Sequence, residues 1–299
     1  MSKPKLIVVC GQTATGKSDL AVILARTVLA SRAEIVSADS RQVFCGLDIG
    51  SGKITRGEMQ GVPHHLLDVV NPCEEFNVRK FKELGDKTIF GILGRSKTPI
   101  LVGGTGYYIE SIVDDLIPPE VSPNVELRKK LEALDAEKLF EYLKNIDPVY
   151  SEKVDRNNPR RLIRAIEIAK AFGSVPPLAK NERFDVLMIG LELPDDELRE
   201  KINKRLVQRI EAGMIEEVEK LHTDGASWKW LEALGLEYRY VAEFLQNKMT
   251  KDEMIEILKT KIWHYAKRQK TWFKRDKRIK WFHPSQVDEI KKEVSHFLF

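Results

Sequence analysis

The chain has 299 residues, 42% apolar and 31% charged, with 49 Lys and Arg against 45 Asp and Glu. That composition fits a soluble globular protein with one large domain, or a core plus a smaller domain, and a net charge of +4 does not by itself demand a nucleic-acid or membrane partner. The apolar runs are too short to cross a bilayer, no signal peptide is expected, and the widely spaced Cys10, Cys45 and Cys73 point to free thiols of a cytoplasmic protein rather than a disulfide framework or a zinc site.

Leu6–Cys10 (LIVVC) predicts a buried strand, and Asp19–Leu29 has helical apolar spacing. Between them, Gly11–Ser18 (GQTATGKS) fits the phosphate-loop pattern G-x-x-x-x-G-K-[ST] at every fixed position. Its glycines let backbone N–H groups approach phosphate oxygens, Lys17 adds a point charge, Ser18 can ligate Mg²⁺, and the following helix turns its positive end to the same anion. Glu34–Ala38 reads as a second strand, ending at Asp39-Ser40. Pro63-His64-His65 precedes a strand-like run, Leu66–Val70; adjacent histidines on a strand face opposite ways, so they form no metal pair. Pro99–Val102 is a third strand, running into Gly103-Gly104-Thr105-Gly106 and a helix from Tyr107. Continuous apolar strands alternating with helices predict an α/β fold, a parallel sheet covered on both faces.

A nucleotide-hydrolysing phosphate-loop protein usually has an acid ending a neighbouring strand to hold its metal. None follows Val102. Asp39 ends the second strand instead, where it either meets an acceptor substrate or caps a turn. The glycines after Val102 either admit a ligand, with Thr105 offering a hydroxyl, or only make a tight turn.

The pattern changes near Ile117-Pro118-Pro119. Residues 124–172 are helical and charge-rich and close on Gly173-Ser174-Val175-Pro176-Pro177. A helical block, 117–184, is therefore expected inside a core made of 1–116 and 185–299. Within it Asn158 is a predicted N-cap with Pro159 at the first helical position. Arg160 and Arg164, one turn apart, share a face that either grips phosphates or is solvated and paired to Glu167. Val186–Leu193 is another buried strand. Asp195–Leu221 reads as one long helix, with Leu198, Ile202, Leu206, Ile210, Met214 and Val218 every four residues. Glu253–Phe273 is a second long helix. Lys259–Lys280 carries ten Lys and Arg against one acid, Asp276. There the run Ala266–Phe273 (AKRQKTWF) either stacks and grips nucleic acid or buries its aromatics while its cations are solvated.

In this order, GQTATGKS, SADSRQVFCGLDIGSGK (Ser37–Lys53), GVPHHLLDVVNP (Gly61–Pro72), PILVGGTGYYI (Pro99–Ile109) and AKRQKTWFKR (Ala266–Arg275) resemble the bacterial-type tRNA dimethylallyltransferase family, across nearly the whole chain. The resemblance implies a P-loop-NTPase-like parallel sheet with an all-helical insertion that contacts tRNA. It implies transfer of a dimethylallyl group from dimethylallyl diphosphate to N6 of adenosine 37, in the anticodon stem-loop of tRNA, with release of diphosphate. The adenylate isopentenyltransferases, which act on AMP, ADP or ATP, share part of the pattern and supply the alternative acceptor. By resemblance, Gly11, Gln12, Thr13, Ala14, Thr15, Gly16, Lys17 and Ser18 would bind the diphosphate, with Mg²⁺ near Ser18. Thr13, Lys17 and Asp39 would be catalytic, Asp39 as the general base. Asp39, Ser40, Arg41, Gln42, Thr105 and Arg128 would meet the tRNA. Arg160, Arg161 and Arg164 on the insertion, and Lys267 and Arg268 on the basic helix, would hold its stem-loop. The sequence departs from the family at Asn158-Pro159-Arg160-Arg161, where Asp-x-Gln-Arg is usual, and at Gly235-Leu236-Glu237, where Gly-Tyr and a basic residue are usual. A monomer without a membrane partner is expected.

Overall fold

In the computed structural model, which describes residues 3–29, 32–116 and 119–298, the first apolar run forms β1 (Lys5–Gly11) and the phosphate-loop pattern leads into α1 (Lys17–Thr27). Then come β2 (Ala33–Ser37), a one-turn α2 (Arg56–Met59), β3 (His64–His65), α3 (Val78–Gly94), β4 (Thr98–Gly103) and α4 (Gly106–Val113). Four helices follow, α5 (Val125–Glu132), α6 (Ala136–Ile146), α7 (Pro148–Ser151) and α8 (Pro159–Phe172). The chain continues through β5 (Asp185–Leu191), α9 (Asp195–Glu211), α10 (Met214–Thr223), α11 (Trp228–Leu234) and α12 (Leu236–Leu245), and finishes with α13 (Lys251–Phe273), β6 (Ile279–Phe282) and α14 (Val287–Leu298).

The six strands among the described residues are all parallel, in the order β3-β2-β4-β1-β5-β6. β1 is central: Val8 sits between Leu101 of β4 and Met188 of β5. Its residues alternate between two cores. Ile7 and Val9 join Leu20, Leu24 and Ile290 on one face, while Leu6, Val8 and Cys10 join Phe81, Ile109 and Phe273 on the other. Burial on both faces explains why Leu6–Cys10 of β1 is an unbroken apolar run. Each large apolar side chain so buried contributes roughly 1.5–3 kcal/mol. A third core is built from α9, α10, α12 and α13 around Val43 and Leu47.

The structure corrects two expectations and adds one strand. Leu66–Val70 is no strand: Leu66 and Asp68 have positive φ, and the pairing is made by His64 and His65 instead. The expected helix over Asp195–Leu221 is two helices. Its apolar stripe continues across the break, but Gly213 at φ 100° ends α9's course and starts α10. β6 also adds a sheet-edge strand that the apolar pattern did not signal.

The chain divides into two compact units, residues 1–115 with 181–299, and residues 116–180. Of the expected boundary at Ile117-Pro118-Pro119, Ile117 and Pro118 lie outside the described residues. The second unit has its own core of Leu131, Leu139, Leu143, Leu162 and Ile166. Its α8 starts as the sequence predicts, with Asn158 capping the Arg161 N–H and Pro159 in the first turn.

His64 and His65 do face opposite ways. His65 Nε2 lies 2.6 Å from Glu34, whose buried carboxylate also takes Arg95 at 2.7 Å and Lys97 at 2.8 Å. Burial alone would raise the Glu34 carboxyl, but hydrogen bonds from Lys97, Arg95 and His65 hold it down at about 2. The stabilisation is therefore complete above the ordinary value of 4.5 and is lost as pH falls from there towards about 2. Glu34→Gln is expected to cost about 2–3 kcal/mol in urea unfolding at neutral pH, the partly exposed partners limiting the loss, and to shrink towards nothing near pH 2.

Candidate active site

The carboxyl ends of β1, β2 and β4 deliver the phosphate loop, Asp39 and the Gly103-Gly104 turn to one cavity of about 550 Å³ in the first unit. This is where an open parallel sheet offers ligands its strand ends and helix N-termini. The loop needs its glycines. Gly11 has φ 132°, and a Cβ there would sit 2.4 Å from the Leu191 carbonyl oxygen; Gly16 has φ 82° immediately before α1. The Gln12 carbonyl accepts from Thr15 Oγ1 at 2.8 Å and from Lys17 Nζ, which closes the loop on itself. Gln12's own side chain is buried and donates to the Ala266 carbonyl at 3.3 Å, so the structure places it against α13 and not in the cavity.

α13 also supplies a brace. Gln269 is buried; its Oε1 accepts from the Thr13 N–H at 2.8 Å and its Nε2 donates to the Gly104 carbonyl at 2.9 Å. A Cβ on Gly104 would lie 2.3 Å from Nε2. The space after β4, where a nucleotide hydrolase would carry its metal-binding acid, is thus filled by an amide that ties the phosphate loop to the glycine turn.

Asp39 is half-buried and lines the cavity. Oδ1 accepts from the Arg41 N–H at 2.8 Å and, at 3.4 Å, from that of Gln42; Oδ2 has no hydrogen bond among the described residues. One oxygen therefore caps the turn, as one reading of the sequence has it, and orients the carboxylate, while the other is available to a ligand. Neighbouring residues fix this turn. Ser40 donates its N–H to Thr105 Oγ1 at 3.2 Å, Arg41 Nη1 reaches the Ser40 carbonyl at 3.2 Å, and Gln42 bridges Ser37 at 3.4 Å and the Gly52 carbonyl at 3.3 Å.

The cavity lining carries four cations, Lys17, Lys201, Arg205 and Arg209, against three carboxylates, Asp19, Asp39 and Glu58. Lys17, half-buried, is pushed down to about 8 by burial and by the neighbouring Arg205. Arg205 lines the same cavity, forms no ion pair among the described residues, and is itself pushed down to about 10 by burial and by Arg209. Sequence reasoning missed these cations. Lys201, Arg205 and Arg209 stand at i, i+4 and i+8 on α9, a regular stripe beside the apolar one. Tyr265, one turn before Gln269, also lines the cavity, and burial holds its hydroxyl well above the ordinary phenol range, so it is neutral. Cys10, by contrast, is a core residue whose thiol burial pushes up to about 12, and no cysteine is paired.

This cavity sits in a chain with clear relatives. The family model described as IPP transferase matches residues 42–276, and that described as isopentenyl transferase matches residues 4–72. The chain is 41% identical to the tRNA dimethylallyltransferase of Desulforudis audaxviator, over 93% of this chain and 91% of that protein. It belongs to the tRNA dimethylallyltransferase family. To the namesake from Halothermothrix orenii it is 39% identical, over 98% of this chain and 93% of that protein. Among solved structures, the full-length tRNA isopentenylpyrophosphate transferase of Bacillus halodurans aligns with a TM-score of 0.76 at 35% identity, covering 99% of this chain and 97% of its own. A eukaryotic dimethylallyltransferase acting on tRNA aligns with a TM-score of 0.81 at 25% identity, covering 98% and 77%.

The other residues that the tRNA dimethylallyltransferase resemblance singles out fall in two places. In the first unit, Lys267 and Arg268 are exposed on α13, over the Trp263 and Tyr265 rings at 5.2 and 5.8 Å. In the second, Arg160 and Arg161 are exposed at the start of α8, but Arg164 turns inward, donating to the Val121 carbonyl at 2.9 Å and standing 3.4 Å from Glu167. Arg128 meets the buried Glu167 with two hydrogen bonds of 2.8 Å. Glu167, read from the sequence only as a surface partner, is the anchor of this pair of arginines. Glu237, at the second departure from the tRNA dimethylallyltransferase pattern, is not on an open surface either: it pairs with Arg209 at 3.1 Å.

Proposed function

We propose that the protein transfers a dimethylallyl group from dimethylallyl diphosphate to N6 of adenosine 37 in tRNA, releasing diphosphate. The observation that carries this reading is one cavity that joins a phosphate-loop pattern and Arg205, without an ion pair among the described residues, to a carboxylate, Asp39, one of whose oxygens has no hydrogen bond among them. The core is then a P-loop-type sheet put to an unusual use: the loop grips a leaving group.

The chemistry follows from the residues. The adenine amino group is a poor nucleophile, because its lone pair is delocalised into the ring. The donor compensates with an allylic carbon that tolerates positive charge. The N6 lone pair forms the new C–N bond, the C–O bond breaks, and its electron pair leaves on the diphosphate. Loop N–H groups, Lys17, Arg205 and the N-terminus of α1 are fixed donors for the charge developing there. Thr13, in the cavity wall, is read as meeting the bridging oxygen. Asp39 takes the N6 proton as the bond forms.

Mg²⁺ suits this donor set. Ser18 Oγ, in the first turn of α1, has no hydrogen bond among the described residues, and this ion is commonly held by one or two protein oxygens plus substrate phosphates and water. Ser18 would hold it, and it would neutralise diphosphate charge. A base inside a stem-loop must be turned out to reach Asp39. The unit 116–180 and the exposed Arg160, Arg161, Lys267 and Arg268 are read as holding the RNA by backbone and shape. Gln42 lines the cavity beside Asp39, and with Ser40, Arg41 and Thr105, which hold that turn, it is read as flanking the target base.

Incubation with dimethylallyl diphosphate labelled in its prenyl group, and with either tRNA bearing three adenosines at positions 36–38 or AMP, tests the reading. Label is expected in tRNA only. Label in AMP alone would assign the protein to adenylate prenylation instead.

A further inference from the structure

Beyond the phosphate loop, a second loop forms part of the cavity wall, at Ser51 and Gly52. It is held with more hydrogen bonds than a surface turn needs. The Glu217 carboxylate accepts from the N–H groups of Asp48, Ile49 and Gly50 at 3.0, 2.6 and 3.1 Å, and from the Tyr238 hydroxyl at 2.9 Å. Tyr238 is buried, and a Cβ on Gly50 would lie 2.8 Å from its ring, so the loop is seated directly on it.

Arg209 closes this arrangement from α9. Nη1 donates to the Gly50 carbonyl at 3.3 Å and to Glu237 at 3.1 Å, with the two charged side chains only 16% and 13% exposed. Nη2 points elsewhere. A Cβ on Gly52 would sit 1.9 Å from it and 2.8 Å from Arg205 Nη2, so two guanidinium groups converge over this glycine, which has φ 61°. Two like charges held this close repel one another, and only Arg209 has a carboxylate partner among the described residues. A multiply charged anion between them removes that repulsion.

We propose that Arg209 is a further contact for the donor's diphosphate, and that Glu237 is the positioning residue that holds it, with the loop 48–52 as its seat. Nη1 is committed to Gly50 and Glu237, and Nη2 is presented to the anion beside Arg205. This rests on the reading that the cavity takes the donor's diphosphate. It gives the acid at position 237 a role inside the donor site, not on the RNA.

Calorimetry with inorganic diphosphate, donor KM and kcat, and tRNA affinity by gel shift test it on the full chain. Arg209→Met is expected to weaken diphosphate and raise the donor KM by about tenfold, with tRNA affinity unchanged. Glu237→Gln should give a smaller rise of about threefold that vanishes when Arg209 is already methionine, because the glutamate acts through the arginine. Arg209→Lys keeps the charge without the fork and should fall between wild type and Arg209→Met, which separates anion contact from folding. Diphosphate affinity and donor KM within twofold of wild type in Arg209→Met would overturn the assignment while leaving the donor site intact. So would an equal loss of tRNA affinity. Failure of the wild-type protein to bind diphosphate at all would overturn the donor-site reading with it.

Discussion

Replacing Asp39 with alanine is expected to lower kcat by about a hundredfold to ten-thousandfold, the usual contribution of a positioned base, while tRNA affinity stays within a few-fold of wild type. The carboxylate has two tasks on separate oxygens. Oδ1 fixes the turn through Arg41 and Gln42, and Oδ2, with no hydrogen bond among the described residues, would take the N6 proton in the proposed mechanism. Asp39→Asn separates them. Its side-chain oxygen can still cap the turn, so the fold of the turn and RNA binding should survive, but an amide cannot take a proton. Single-turnover rates and gel-shift affinities on both variants decide the point. A parallel collapse of binding in both would make Asp39 a recognition group.

The second large effect is at Lys17. Burial, with Arg205 beside it, pushes the free cavity's lysine down to about 8. In the proposed mechanism the charged form is the one that binds diphosphate. Affinity should therefore be full well below pH 8 and fall as pH rises through it, and binding near pH 8 should take up a proton as the anion restores the lysine's charge. Calorimetry in two buffers of different ionisation enthalpy reads that uptake directly. Lys17→Ala should abolish the uptake and lower kcat by about a hundredfold or more, because a fixed donor to the developing charge is gone. A pH-independent affinity in the wild type would place the lysine outside the anion site.

Much of this architecture is legible in the sequence, for identifiable reasons. β1, β4 and β5 are buried on both faces, so they appear as continuous apolar runs, and β2 keeps a shorter one, Ile35-Val36, beside the ion-paired Glu34. The edge strands do not: β3 is two histidines and β6 carries Lys280. The break at Gly213 is hidden because Met214 and Val218 prolong the apolar stripe, and one glycine inside such a stripe is a weak signal beside its period.

The site divides the same way. The loop Gly11–Ser18 is legible because its positive-φ, closely packed positions need glycines at set spacings, and Asp39 because it follows an apolar strand, where both its turn-capping and its ligand-facing readings are open to the sequence. The cations of α9 are not legible in the same way, because charges beside an apolar stripe read as a solvated face. Their four-residue spacing alone could have marked Arg205 as a candidate. Gln269 stands in a basic run and looks like one more polar residue. Only the fold brings it between Thr13 and Gly104, where it does the work of holding two loops together.

The central claim, that the phosphate loop holds a leaving group and not an energy source, is tested most directly by one product analysis. The protein is incubated with tRNA, dimethylallyl diphosphate, ATP and Mg²⁺; the tRNA is digested and its nucleosides are weighed, and the phosphates are separated. One diphosphate released for each N6-dimethylallyl adenosine formed at position 37, with ATP intact, is the predicted result. Orthophosphate or a phosphorylated product derived from ATP, with adenosine 37 unmodified, would contradict it.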